Sequence, residues 1–169
     1  MKRVSKYLFI FLTGCLLVTG CSTTKEVKEE KQPTSKETQQ ETKTMSCTRT
    51  AKQDENTSFD LKYTVKYTGN YVNSITSKEI LTSNDTNVLN QYKTQLESIY
   101  KPYKDVENYY YNVRIENNQL ISETSIDYDK IDTDKMIEID SANAQLIKDG
   151  KININDLKTV YASLGATCN

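Results

Sequence analysis

The chain has 169 residues, with 22 Lys and Arg against 23 Asp and Glu, a formal net charge of −1, and no histidine. That length suits one small domain with accessory segments, and a near-neutral balance offers no basic excess to release counterions from phosphate, which speaks against nucleic acid as a partner. Without histidine there is no Ser-His or Cys-His nucleophile pair, and a zinc site would lack its commonest ligand.

Residues 1–20 read as an export signal. Lys2, Arg3 and Lys6 make a basic start, and Tyr7 to Val18 form a 12-residue apolar run. Spanning a bilayer core takes ~20 apolar residues, so the run is a signal core rather than an anchor helix. It ends at Val18-Thr19-Gly20-Cys21, which resembles a bacterial lipobox. The resemblance implies cleavage before Cys21 and attachment of a diacylglycerol to its sulfur, chemistry that needs a thiolate nucleophile. Leu12-Thr13-Gly14-Cys15 repeats the pattern upstream, but it leaves an apolar core of only Tyr7 to Phe11, which is too short. The competing readings are an ordinary secretion signal with incidental cysteines, and an unexported chain with an apolar start. The order of the signals favours Cys21 as the mature N-terminus. Its acyl chains would then hold the protein to the bacterial cell membrane on the extracytoplasmic side.

Residues 21–46 comprise the lipidated cysteine and a tether dominated by Ser, Thr, Lys, Glu and Gln. Lysines 25, 28, 31, 36 and 43 balance glutamates 26, 29, 30, 37 and 41. So little apolar surface cannot offset chain entropy, and the tract reads as disordered. A flexible chain of that length spans ~25–30 Å on average and under ~90 Å at full stretch, so its role is reach.

Residues 47–169 form the domain, with 14 Lys and Arg against 18 Asp and Glu, a net charge of −4. Cys47 and Cys168 are its only cysteines. One intramolecular bridge is available and an exported compartment preserves it, so the two are expected to pair; two free thiols are the other possibility. In chain order, Phe59, Leu61, Tyr63, Val65 and Tyr67 alternate with polar residues, as in a half-buried strand. Gly69-Asn70 makes the turn and pairs Tyr67 with Val72 in a first hairpin. A helix follows, with Asn84-Asp85 as cap, Val88, Leu89, Tyr92, Leu96, Ile99 and Tyr100 at helical spacing, and Pro102 as the stop.

Tyr109, Tyr111, Val113 and Ile115 open a second hairpin that turns at Asn117-Asn118, since asparagine tolerates the positive φ of a two-residue turn. Pairing across it sets Ile115 against Leu120, Val113 against Ser122, Tyr111 against Thr124 and Tyr109 against Ile126. Residues 63–76 and 111–124 align without gaps, so the hairpins form a weak repeat. Residues 129–154 suggest one or two helical turns and a bend. A last helix carries Leu157, Val160, Tyr161 and Leu164, with Asn155 as its cap and Gly165 as its stop. The expected fold is α+β: a ββα-ββα pseudo-repeat with an antiparallel sheet and helices packed on one face.

The opening "CTRT", the central "YKPYKDVENYYYNVRIENNQLISETSIDYDKID" and the closing "LKTVYASLGATC" resemble the YehR-like family of small bacterial lipoproteins, whose domain has no known function. The resemblance covers about 47–169 and implies a compact α+β domain and a lipid anchor. It assigns no catalytic residue.

Several constellations invite chemistry. The acidic run Asp127, Asp129, Asp132, Asp134, Glu138 and Asp140 has oxygens suited to Ca²⁺, but it lacks the glycine of a calcium loop and is interrupted by Lys130 and Lys135. A solvated face with helix-capping carboxylates is the preferred reading. "DGKININDL" (149–157) resembles half of a dockerin calcium loop, yet Ile147 would stand where a side-chain oxygen is needed. No metal or cofactor is therefore expected. The expectation is a non-enzymatic binding or envelope-structural domain with an unidentified envelope partner. The alternative is an envelope enzyme using a carboxylate pair.

One surface stands out. If inward residues are odd in 59–67 and 109–115 and even in 72–80 and 120–126, then Ile75, Tyr110 and Ile121 lie on the solvent face. They would make a small apolar patch rimmed by Lys and Arg, an interaction surface.

Overall fold

The computed structural model describes residues 41–169. The expected export signal, Cys21 and the expected tether as far as residue 40 lie outside the described residues. The chain from Glu41 to Asn169 forms one compact unit. Strands β1 (Thr42–Lys52), β2 (Thr57–Thr68) and β3 (Tyr71–Ser83) come first, then helix α1 (Thr86–Tyr100) and a 3-10 turn over Lys101–Tyr103. Strands β4 (Tyr109–Glu116) and β5 (Gln119–Asp127) make the second hairpin. They are followed by α2 (Thr133–Ile139), a 3-10 turn over Ser141–Gln145, a short hairpin of β6 (Ile147–Lys148) and β7 (Lys151–Ile152), α3 (Ile154–Ser163) and β8 (Thr167–Cys168). The main sheet has the order β4-β5-β3-β2-β1-β8 and every pairing in it is antiparallel. The helices pack on one face of it, an α+β architecture as expected.

Both hairpin turns form where the asparagines and glycine allow positive φ. Asn117 and Asn118 lie at φ 48° and 61°, and Gly69 at 59°. The second hairpin has the expected register throughout, from Ile115↔Leu120 to Tyr109↔Ile126. Asp85 caps α1, its Oδ1 accepting from the Asn87 N–H at 2.8 Å, and Pro102 is the second residue of the 3-10 turn that follows the helix. Leu89 and Tyr92 bury the inner stripe of α1, whereas Ile99, read as part of that stripe, stays exposed. The cap of α3 is Asn153 rather than Asn155, because the Asn153 side chain accepts from the Asn155 N–H at 2.8 Å. Gly165 stops α3 at φ 79°. Cys47 and Cys168 are disulfide-bonded, joining β1 to β8 across the sheet's far edge.

Two expectations are corrected. The ordered domain begins at Thr42, not at residue 47, since Thr42–Ser46 pair with residues 64–68 of β2. Met45 is buried opposite Val65, and the threonines at 42, 44, 48 and 50 suit a pleated, half-covered strand. The second correction concerns β3. Lys66 pairs with Ser74 and Tyr67 with Val72, which leaves Asn73 as a bulge. An extra residue reverses the facing of everything beyond it. From Ile75 to Leu81 the inward residues are therefore odd, and the parity read from Val72 is inverted. The bulge is well held: Asn73 Oδ1 accepts from Thr68 Oγ1 at 2.8 Å, and its Nδ2 donates to Asp129 Oδ1 at 3.0 Å.

Candidate functional site

The bulge decides the fate of the predicted patch. Ile75 points to the helix side, 8% exposed, in register between Val65 and Ile126. Ile121 does lie on the outer face, but it is only 7% exposed, between Ile80 and Arg114 in register. Of the three residues, Tyr110 alone is an open surface residue, at 58%. The three-residue patch is thus not assembled, and its central tyrosine belongs to a different feature.

That feature is the free edge of β4. Among the described residues this strand ends the sheet, and none of its eight residues is fully buried, the inward Tyr109, Tyr111, Val113 and Ile115 included. Beside it runs an open groove of about 550 Å³, lined on one side by Tyr109 to Val113 and on the other by Glu97, Lys101 and Lys104 from the end of α1 and its 3-10 turn. Two stacked tyrosine pairs hold the wall upright: Tyr100 on Tyr111 at 5.3 Å and Tyr103 on Tyr109 at 4.8 Å between ring centres. On the outer face Arg114 donates to Glu116 at 2.8 Å and to Glu123 at 2.6 Å, and Lys78 stands 3.4 Å from Glu123. The Arg114 hydrogen bond holds the Glu123 carboxyl below the usual carboxylate range.

A second feature lies on the helix side of the sheet. The reversed parity of β3 turns Glu79 toward the helices, in register between Leu61 and Ser122. Its carboxylate makes no hydrogen bond or ion pair among the described residues, and burial raises its pKa from 4.5 to about 7. Tyr63, Tyr100 and Tyr109 surround it; burial, with the Glu79 charge as a further cause, raises their hydroxyls above the ordinary 10. Arg49 shares this face two strands away, and it neither forms an ion pair with Glu79 nor lowers its pKa. The result is a half-buried proton-binding group set among tyrosines on the helix side of the sheet.

Glu79 and the basic rim of the groove were both missed in the sequence. The signal for Glu79 was present in "YVNSIT": Val72 and Ile75 cannot share a face of a regular strand, so one residue between them must bulge. No local pattern brings Lys101 and Lys104 beside β4. The acidic run serves local structure, with Asp132 capping α2, Asp140 capping the following turn, and Asp127 accepting from the Asp129 N–H.

The chain matches no protein-family model and no curated protein. Two solved structures are similar in fold. The NMR structure of a protein from Streptococcus pneumoniae TIGR4 superposes with a TM-score of 0.51 at 15% identity, covering 89% of this chain and 99% of that one. The NMR structure of the E. coli YehR protein gives a TM-score of 0.53 at 14% identity, covering 77% of this chain and 92% of that one. The chain therefore has a YehR-like fold, and at such identities the likeness carries the architecture alone.

Proposed function

We propose that this protein is a lipoprotein, anchored through Cys21 on the extracytoplasmic side of a bacterial membrane, whose domain works by binding rather than by catalysis. The carrying observation is the free β4 edge with its exposed Tyr110 and adjoining groove. An unpaired strand edge offers a row of backbone donors and acceptors, and a groove beside it offers side-chain specificity, the arrangement used in strand addition. The alternative of an envelope enzyme with a carboxylate pair has less support. Glu79 is half-buried, and burial is the one cause that raises its pKa, with no acidic neighbour contributing.

Anchor and surface are tested separately. Cys21→Ala should abolish incorporation of labelled fatty acid; normal labelling of that variant would place the anchor elsewhere. A photo-crosslinking residue at position 110 should give polypeptide adducts in intact membranes, while the same residue at Lys62, exposed on the outer face of β2, should give none. Equal yields at both positions would remove the β4 edge as a contact surface.

A further inference from the structure

We infer that the occupant of the β4 edge is a second copy of this chain: two domains join antiparallel through β4, about a twofold axis at Asn112, into one continuous sheet. The inference rests on the reading of this edge as a contact surface and names its partner.

Three observations converge on it. First, β4 lacks the devices that shield edge strands, namely proline, a bulge, shortness or an inward charge. Its ladder with β5 runs unbroken from Tyr109 to Glu116, and its one cation, Arg114, is already engaged by Glu116 and Glu123. Second, the groove carries both signs of charge, its lining holding Glu97, which lies 3.6 Å from Lys93 of its own helix, together with Lys101 and Lys104. Such a rim is complementary to itself. Under a twofold axis each copy's carboxylate meets the other's ammonium groups, as an isologous interface requires.

Third, one register satisfies the side chains. With Asn112 opposite Asn112, Tyr111 faces Val113 and Tyr109 faces Ile115 on the helix side, so inward residues left half-exposed in one copy gain cover. On the outer face Tyr110 falls opposite Arg114. The edge N–H groups of that guanidinium are held by two glutamates, so its flat face is free to lie on the tyrosine ring. Moving the axis to Val113 would set Tyr110 opposite Glu116, and moving it to Tyr111 would set Tyr110 opposite Asn112. Neither pairs a ring with a cation.

The test uses the full chain in its membrane with Asn112→Cys. Directly opposed residues of an antiparallel ladder have Cα atoms ~4.5–5.5 Å apart, within disulfide range. Mild oxidation should give a reducible species of twice the chain's mass, at least tenfold more than Lys62→Cys gives. Adding Tyr110→Lys sets a lysine opposite the other copy's Arg114 and should cut that yield about tenfold. The photo-crosslinker at position 110, an exposed site that spares the fold, should report the same doubled mass. Yields for Asn112→Cys no higher than for Lys62→Cys would overturn self-pairing. Adducts of any other mass would also overturn it, while leaving the edge a contact surface for a different polypeptide. No adduct at position 110 would remove both readings.

Discussion

Glu79 occupies a place where a strand normally carries an apolar residue, with Leu61 and Ser122 beside it in register. Because burial raises its pKa from 4.5 to about 7, the folded state holds its proton more tightly than the unfolded chain. The stabilisation is fully present below about pH 4.5 and is lost as pH rises through about 7. Urea titrations of the wild type and Glu79→Gln should therefore nearly coincide at pH 4.5. At pH 8.5 the variant should be more stable by roughly 1–3 kcal/mol. A constant difference across that range would show that Glu79 titrates normally. Tyr110 and Ile121 differ more simply, by exposure. At concentrations too low for self-pairing, Tyr110→Ala should change stability by less than ~0.5 kcal/mol, because the ring of the single copy is mostly in solvent. Ile121→Ala should cost ~2–4 kcal/mol, because it empties a buried position. Thermal unfolding of both variants reads the contrast directly; equal losses would mean that Tyr110 is covered.

At the scale of elements, β1 shows how a strand hides in a polar tract. Residues 42–46 contain a single apolar side chain, Met45, and composition assigns them to the tether. Five register pairs with β2, from Thr42↔Thr68 to Ser46↔Thr64, make them part of the sheet. Met45→Ala should destabilise the domain by ~2–4 kcal/mol in chemical denaturation, whereas a residue of a disordered tether would cost nothing measurable. The Asn73 bulge works at the same scale. It leaves the hairpin turn and the Tyr67↔Val72 pair as expected, yet it exchanges the two faces for the rest of β3. One inserted residue thus turns Ile75 and Glu79 to the helix side together, the first buried and the second half-buried.

Across the whole molecule, the Cys47–Cys168 bridge ties β1 to the last strand over a separation of 121 residues. Closing so long a loop restricts the unfolded chain, and the chain-entropy estimate is ~4–5 kcal/mol. Cys168→Ser should therefore lower the melting temperature by ~10 °C or more, and a reductant should lower the wild type comparably. Insensitivity of the wild type to reductant would mean that the bridge adds nothing to stability. The bridge also leaves the two ends of the sheet unlike. β8 and the disulfide occupy the β1 side at Cys47 and Thr48, while β4 ends the sheet with its full length open.

The local elements were determined by the sequence alone, because their causes are local. Alternation in 59–67 and 109–115 sets the strands, Asn117-Asn118 permits the tight turn, and Asp85 and Pro102 bound a helix. Two cysteines in one domain leave one bridge to form. What the tertiary structure decided was everything that depends on one segment meeting another. Pairing with β2 recruits Thr42–Ser46, and the bulge at Asn73 reverses a strand's faces. The order of strands leaves β4, and not β3 or β5, at the edge, and the end of α1 brings Lys101 and Lys104 beside it. Backbone ladders join residues by their amides and carbonyls, groups common to nearly every residue type. For that reason strand order and edge exposure leave almost no mark on the sequence, although here they define the candidate site.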